Sequence, residues 1–470
     1  MVFNLGDSII RNVSNFIIVY TFFSAFLYLL LFIISARKIK KNYSLDLKYK
    51  FEDIIESDFS PPVSILVPSY NEEAGIYASV KSLIDLQYPT FEIIIINDGS
   101  TDLTLPLLIE RFDMVEVTRT IRKQLATNPI KGIYRSLYYP NLYLIDKENG
   151  GKSDALNAGI NLSRYPYFCS LDGDSILESD AFLKIMKPIL DSEEEIVAVG
   201  GNVQIANGCK IEKGKVLEIG LPKNILVIMQ IIEYLRAFLM GRLGLSHYNL
   251  LLIVSGAFGV FSKEWVIRAG GYKKNTVGED MELIVRLHRK IKEEKKKAKI
   301  FFIPQPVCWT EAPESAYFLK RQRTRWHRGL YESLWNHRCM LFNPKYGAIG
   351  IISMPYFLLV ELLGPIIEFL GYILIVIGLI RGDVFIEYAF IIFLLAMLYG
   401  SALSMGAVLL EEWSQRRYSR ISHVSKLFFY ALTESLWYRL MVSYWRCIGF
   451  FQAIRGKKEW GHIQRKGLIK

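Results

Sequence analysis

Cysteine is scarce in this 470-residue sequence. Cys169, Cys209, Cys308, Cys339 and Cys447 are odd in number, scattered, and form no Cys-x-x-Cys pair. That excludes a disulfide scaffold and a thiolate zinc site, and reads as reduced thiols. Internal repeats are missing, which argues against a solute carrier built from repeated membrane halves. The low hydrophobicity of a disordered chain is missing too: 51 % of residues are hydrophobic and 13 % aromatic, enough to bury a core. Charge makes up only 22 % of the chain, and none occurs between Arg11 and Arg37 or from Tyr388 to Leu410.

What is present is apolar sequence of lipid-crossing length. The first uncharged run exceeds the roughly 20 residues a bilayer crossing needs. It is too long for a signal peptide, has no small-residue cleavage site, and is followed by Arg37, Lys38, Lys40 and Lys41. An uncleaved anchor is expected over 1–40, N-terminus outside, with a basic linker over 41–60 on the cytoplasmic side. Between Lys345 and Arg381 the only charges are Glu361 and Glu368. A membrane region over 346–454 is expected, with spans at about 350–378 and 387–411 joined outside by RGDVFIE. Glu361 and Glu368 are costly in lipid and should face protein, water or a polar ligand; the alternative is that they sit near the interface. Leu427–Ile454 carries Glu434, Arg439 and Arg446 and reads as interfacial or re-entrant, followed by a basic cytosolic tail over 455–470. Asn224–Leu245 is broken by Gln230, Glu233, Arg236 and Arg242 and reads as a buried or interfacial helix.

The balance of 57 Lys and Arg against 46 Asp and Glu gives a net charge of +11. Much of the excess sits beside apolar segments, as at Arg416, Arg417 and Arg420. That placement favours an anionic lipid surface and argues against nucleic acid.

The polar block over 61–313 alternates β-branched runs with helical patterns. VSILV (63–67), FEIIII (91–96), NLYLI (141–145), YFCSL (167–171) and IVAVG (196–200) read as strands buried on both faces. Ala74–Leu86, Leu103–Arg111, Ser153–Asn161 and Ala181–Leu190 read as helices. The alternation predicts a mostly parallel, doubly wound α/β domain, whose ligands sit at the carboxyl ends of the strands. Polar motifs cluster there: PSYNEE (68–73), NDGSTD (97–102), KENGGKSDALNAG (147–159) and LDGDS (171–175).

Asp172 and Asp174 flank a glycine just past a buried strand. Two such carboxylates can hold one hard divalent cation together with phosphate oxygens and water; the alternative is a plain acidic turn. GGKS (150–153) is no Walker motif, because Asp146 stands where that loop needs glycine. Lys152 at a helix start can still meet a phosphate, or simply cap the surface. Asp280 in VGED (277–280) begins an amphipathic helix. A region over 314–345 carries QRTRW (322–326), with Trp326, Leu330 and Leu334 on one side and Arg323 and His327 on another. It reads as a basic amphipathic helix under the membrane.

In this order and spacing, PSYNEE, NDGSTD, GGKSDALN, DGD, SGAFGVF (255–261), GED and QRTRW resemble the membrane-embedded, processive branch of the family 2 glycosyltransferases, which includes cellulose, hyaluronan and poly-N-acetylglucosamine synthases. The resemblance implies a GT-A domain inserted between transmembrane helices, a UDP-sugar donor, and Mg²⁺ or Mn²⁺. Carried over, Tyr70, Glu72 and Asp98 meet the donor nucleotide, Asp98 at the uracil end. Lys152, Asp172 and Arg325 lie at the diphosphate. Asp174 and Asp172 are the metal aspartates, Asp174 preferred as direct ligand, and Asp280 is the catalytic base. Ser255, Gly256, Glu279, Gln322, Arg323 and Trp326 face the acceptor. Two positions depart from the pattern: Gly278 stands where many members have threonine, and Asn97 replaces the first of two aspartates.

The activity implied is β-linked polymer synthesis at the inner membrane from a UDP-sugar, N-acetylglucosamine first, with export and accessory subunits as possible companions. Two other readings fit the motifs: transfer of one sugar to a lipid acceptor, and a non-catalytic sugar-nucleotide sensor.

Overall fold

The computed structural model describes residues 2–46, 60–173, 175–212, 215–381, 386–418 and 420–457. The strands are β1 (Val63–Ser69), β2 (Phe91–Asp98), β3 (Met114–Glu116), β4 (Ile130–Ser136), β5 (Leu142–Lys147), β6 (Tyr167–Leu171), β7 (Ile176–Leu177), β8 (Glu195–Ile205), β9 (Lys210–Glu212), β10 (Lys215–Glu218), β11 (Phe258–Ser262) and β12 (Ala298–Thr310). Ten form one sheet in the order β3-β4-β5-β2-β1-β6-β11-β8-β12-β7, and β9 and β10 form a separate hairpin. The isoleucine run Ile93–Ile96 and its neighbours Ile65, Leu66 and Leu144 are fully buried. Continuous apolar runs of this kind are what a sheet covered on both faces requires.

The sheet is mixed, which corrects the mostly parallel expectation. β5, β2, β1 and β6 are parallel, as are β8 and β12. β11 runs antiparallel to both β6 and β8, and β3–β4, β4–β5 and β7–β12 are antiparallel. The link from Ser136 to Leu142 is too short for the crossover that a parallel pair needs. The parallel quartet matters most for the site. Its strands end at Lys147, Asp98, Ser69 and Leu171, so all four polar motifs emerge at one edge.

Among the described residues three helices are long and apolar enough to cross a membrane: Ile10–Lys41, Ile349–Arg381 and Leu394–Ser414. The chain is therefore a membrane protein. Within the second, π-helical turns occupy Ile349–Ser353 and Phe357–Leu362. Glu361 and Glu368 both face protein. Glu361 accepts from Tyr28 (3.3 Å) and Tyr356 (3.2 Å) and pairs with Arg446 (3.3 Å). Glu368 pairs with Arg439 (3.0 Å) and accepts from Ser443 (3.1 Å). Both arginines come from the Tyr438–Ile454 helix, which packs between the Ala316–Asn336 and Gly364–Arg381 helices. Opposite charges on facing helices remove the penalty each would carry alone.

The Ala316–Asn336 helix corrects a second expectation. Its Arg323, His327 and Arg328 are buried, while Trp326 is 43 % exposed. The basic face is turned inward because partners wait there. Arg323 pairs with Glu233 at 2.6 Å, and Arg328 donates to the Lys457 carbonyl at 3.0 Å.

Candidate active site

The sheet edge supplies one wall. Asp98, at the end of β2, is buried and committed: its carboxylate accepts from Lys147 Nζ (2.6 Å) and from the backbone N–H groups of Gly150 (3.1 Å) and Gly151 (2.7 Å). Gly151 has φ +83°, a left-handed value that favours glycine. Asp98 thus shapes the turn that launches the Lys152–Leu162 helix. Lys147 is fully buried and also pairs with Asp154 at 2.6 Å. The PSYNEE and NDGSTD loops are stitched together. The Asn71 side chain accepts from Thr101 N–H (2.8 Å), and the Glu73 carboxylate accepts from Leu103 N–H (3.0 Å).

Lys152 points across the edge. Its ammonium meets Asp172 Oδ1 at 2.5 Å, donates to the Gly256 carbonyl at 3.0 Å, and lies 3.8 Å from Glu279. Burial lowers its pKa, but Asp172 and Glu279 outweigh that and hold it above the ordinary lysine value. Burial, opposed by Lys152 and reinforced by Asp280, pushes the Glu279 carboxyl up to about 7.

The opposite wall is helical. Asp280 lies in the first turn of the Glu279–Glu293 helix. Its Oδ2 accepts from Gly256 N–H (3.1 Å) and its Oδ1 from Met281 N–H (2.8 Å), where a helix N-terminus favours negative charge. The Ala316–Asn336 helix clamps this turn, because Glu332 accepts from Val277 N–H (2.9 Å) and the Thr276 hydroxyl (3.1 Å). Gly278 lies directly against Gly329: a Cβ on Gly278 would stand 2.8 Å from the Gly329 Cα. This contact accounts for glycine in place of threonine. Gly278→Val is expected to push the two motifs apart and lower turnover about 10²-fold, the scale of a 1 Å misplacement, with donor affinity changing much less. Steady-state kinetics on wild type and Gly278→Val check it.

Glu282, one turn on, is fully buried and bonds His337 (3.1 Å), Arg286 (2.7 Å) and Lys273 (2.9 Å). Burial raises its pKa, but these partners prevail and hold it down at about 2 against an ordinary 4.5. The resulting stability, about 3 kcal/mol, is complete above pH 4.5 and disappears as pH falls toward 2. Thermal melts in detergent from pH 6 to 3 should fall more steeply for wild type than for Glu282→Gln, which begins lower.

Arg323 is bonded to Gln322 (2.7 Å) and Glu233 (2.6 Å), and its guanidinium lies 4.4 Å over the Trp326 ring. Glu233 also accepts from Tyr438 at 2.6 Å. Trp326 faces Tyr234, ring centroids 6.4 Å apart.

One cleft of about 1800 Å³ joins both walls. Tyr70, Glu72, Asp98, Lys152, Asp172, Ser255, Gly256, Glu279, Asp280, Gln322, Arg323, Arg325 and Trp326 all line it. Asp174 lies outside the described residues. The cleft extends to Tyr28, Tyr356, Glu361 and Arg446 beside the membrane-length helices. Among the described residues no group of three or more His, Cys, Asp or Glu could hold a metal. Asp172 alone fits a cation that takes few protein ligands, because its side chain is partly exposed in the cleft. Sequence reasoning missed Lys147, Glu332 and Gly329. Lys147 carried a signal, a lone cation closing a buried strand; the other two carried none.

A parallel strand quartet ending in acidic loops shares one cleft with a helix bearing an arginine–tryptophan pair, on a fold of the GT-A kind. The glycosyl transferase family 2 profile matches residues 64–266, and the glycosyl transferase family group 2 profile matches 167–403. The chain belongs to the family 2 group of glycosyl transferases, and it is a hexosyltransferase by family. A poly-β-1,6-N-acetyl-D-glucosamine synthase of Staphylococcus epidermidis is 26 % identical over 332 residues, covering 70 % of this chain and 69 % of that one. The synthase of the same name from Staphylococcus aureus (strain COL) is 28 % identical over 325 residues, covering 68 % and 66 %. The solved structure of a mannosyltransferase from Pyrobaculum calidifontis with GDP-Man and Mn²⁺ aligns over 91 % of this chain and 99 % of its own. Its TM-score of 0.53 at 17 % identity shows the shared fold.

Proposed function

We propose that the protein is an inverting glycosyltransferase that adds sugar from a UDP-sugar, UDP-N-acetylglucosamine first, to the end of a growing β-linked polysaccharide. The catalytic domain faces the cytoplasm and the product leaves through the membrane. The observation that carries this reading is the single cleft, which holds Asp280, Lys152, Arg325 and Trp326 and runs on to polar groups of the membrane-length helices. The names of the staphylococcal relatives support the polymer and the sugar.

Asp280 takes the proton of the acceptor hydroxyl as its oxygen attacks the anomeric carbon. The bond from that carbon to the diphosphate breaks on the opposite face, and UDP departs with the electron pair. A single displacement turns an α-linked donor into a β-linkage. Lys152 and Arg325 offset the charge that develops on the diphosphate. Mg²⁺ or Mn²⁺ would be held by Asp172 with Asp174 of the same motif, adding positive charge beside the leaving group. Tyr70, Glu72 and Asp98 form the nucleotide end. Trp326 offers a ring face to the acceptor, flanked by Ser255, Gly256, Glu279, Gln322 and Arg323.

Purified membranes supplied with radiolabelled UDP-sugars test this. A long, hydrolase-sensitive chain made from UDP-N-acetylglucosamine, and lost on adding a chelator, is expected. One hexose in the lipid extract would establish single-sugar transfer instead. UDP binding without turnover, across several donors, would establish a non-catalytic sensor.

A further inference from the structure

The π-helical turn Arg236–Arg242 presents two arginines to the cleft. Arg236 is matched: it pairs with Glu434 at 3.0 Å and donates to Ser404 at 3.0 Å. Arg242 is not. Among the described residues no carboxylate lies within ion-pair distance of it, and its Nη1 is buried without a hydrogen-bond acceptor. Its guanidinium stacks 4.0 Å over the Phe238 ring, which fixes the plane of the fork.

It lines the same cleft as Asp280 and Tyr234. The groups whose charge acts on Arg242 are Asp280 and Tyr234. Tyr234 in turn faces Trp326. Burial pulls the Arg242 pKa down to about 10, which leaves it charged near neutrality. A buried donor without an acceptor is costly, and the cost is recovered when a ligand supplies oxygen. Among ligands of the cleft, the one between Asp280 and the aromatic shelf is the acceptor sugar, whose vicinal hydroxyls and acyl carbonyl suit a planar, multi-donor fork.

We propose that Arg242 is an acceptor-binding residue, donating to oxygens of the terminal sugar while that ring lies against Trp326, so that the attacking hydroxyl is turned toward Asp280. The inference rests on the function proposed above. It adds a cation to the acceptor subsite, on an element outside the sequence motifs.

Full-length protein in detergent is assayed with UDP-N-acetylglucosamine and a β-1,6-linked N-acetylglucosamine pentasaccharide as the acceptor probe. Arg242→Gln should raise the acceptor KM at least tenfold with the donor KM unchanged, and Arg242→Lys should recover part of the loss. An unchanged acceptor KM, or a rise confined to the donor KM, overturns the assignment; the latter would put Arg242 at the diphosphate. If Arg242→Gln shows no cooperative melt, Arg242→Lys alone decides by the same split. A wild type that leaves the pentasaccharide unextended overturns the proposed function and this inference with it. A wild type that extends it, beside variants with wild-type KM values, overturns the inference alone.

Discussion

Asp280→Asn is expected to reduce polymer formation by about 10²- to 10⁴-fold, the usual contribution of a positioned general base. A sugar hydroxyl is a poor nucleophile at neutral pH, and no step is easier if its proton has nowhere to go. The substitution is close to isosteric, so the cleft keeps its shape. The amide cannot take the proton, and its single carbonyl oxygen can serve only one of the two N–H groups, from Gly256 and Met281, that the carboxylate now satisfies. Binding of UDP should survive, because Lys152 and Arg325 are untouched. Initial rates of UDP release and sized polymer, measured on equal amounts of folded protein, check the result. Equal product from wild type and variant would remove Asp280 from the mechanism.

Lys147→Met should be as damaging for a different reason. Lys147 is the common cation of Asp98 and Asp154, both buried, and it also donates to the Glu148 carbonyl at 2.5 Å. Methionine matches its volume but leaves Asp98 out of water with no cation, and Asp154 with Lys274 alone. Breaking a buried pair in this way costs about 3–5 kcal/mol. Asp98 would also lose the charge that holds it under the Gly150–Gly151 turn, and Lys152 would lose its fixed starting point. A large drop in melting temperature and a weakened affinity for UDP-sugar are expected together. Adding Asp98→Asn to Lys147→Met should restore part of the stability and little of the binding, since the Gly150–Gly151 turn would still lack its charged anchor. An unchanged melt and affinity in the single variant would show that the lysine is dispensable.

The central strands and the clustering of four motifs at one sheet edge were legible because period and burial act locally: an isoleucine run can only be interior. The strands outside the parallel quartet were harder. In β12, Pro304 and Pro306 interrupt the pattern, and the pairing with β8 shifts register there. β4 lies in a polar stretch, and only its short link to β5 dictates its direction. The candidate site residues were read as motifs, and those that the structure describes line one cleft. What a linear reading could not supply is pairing. Arg323 and His327 look like a solvated basic face until Glu233 and Arg446 are seen opposite them. Gly278 looks like an omission until Gly329 is found against it. Lys147 is only a lone cation at a strand end until both of its carboxylates appear.

Arg446 has a consequence for how the enzyme experiences its surroundings. One edge of its guanidinium reaches His327 (3.3 Å) on the helix that carries Trp326, and another holds the Glu361 carbonyl (2.6 Å) in a membrane-length helix. The helix that carries Trp326 and a membrane-length helix are therefore tied together at this side chain. Acyl-chain length and bilayer tension, which tilt such helices, are expected to shift the helix that carries Trp326.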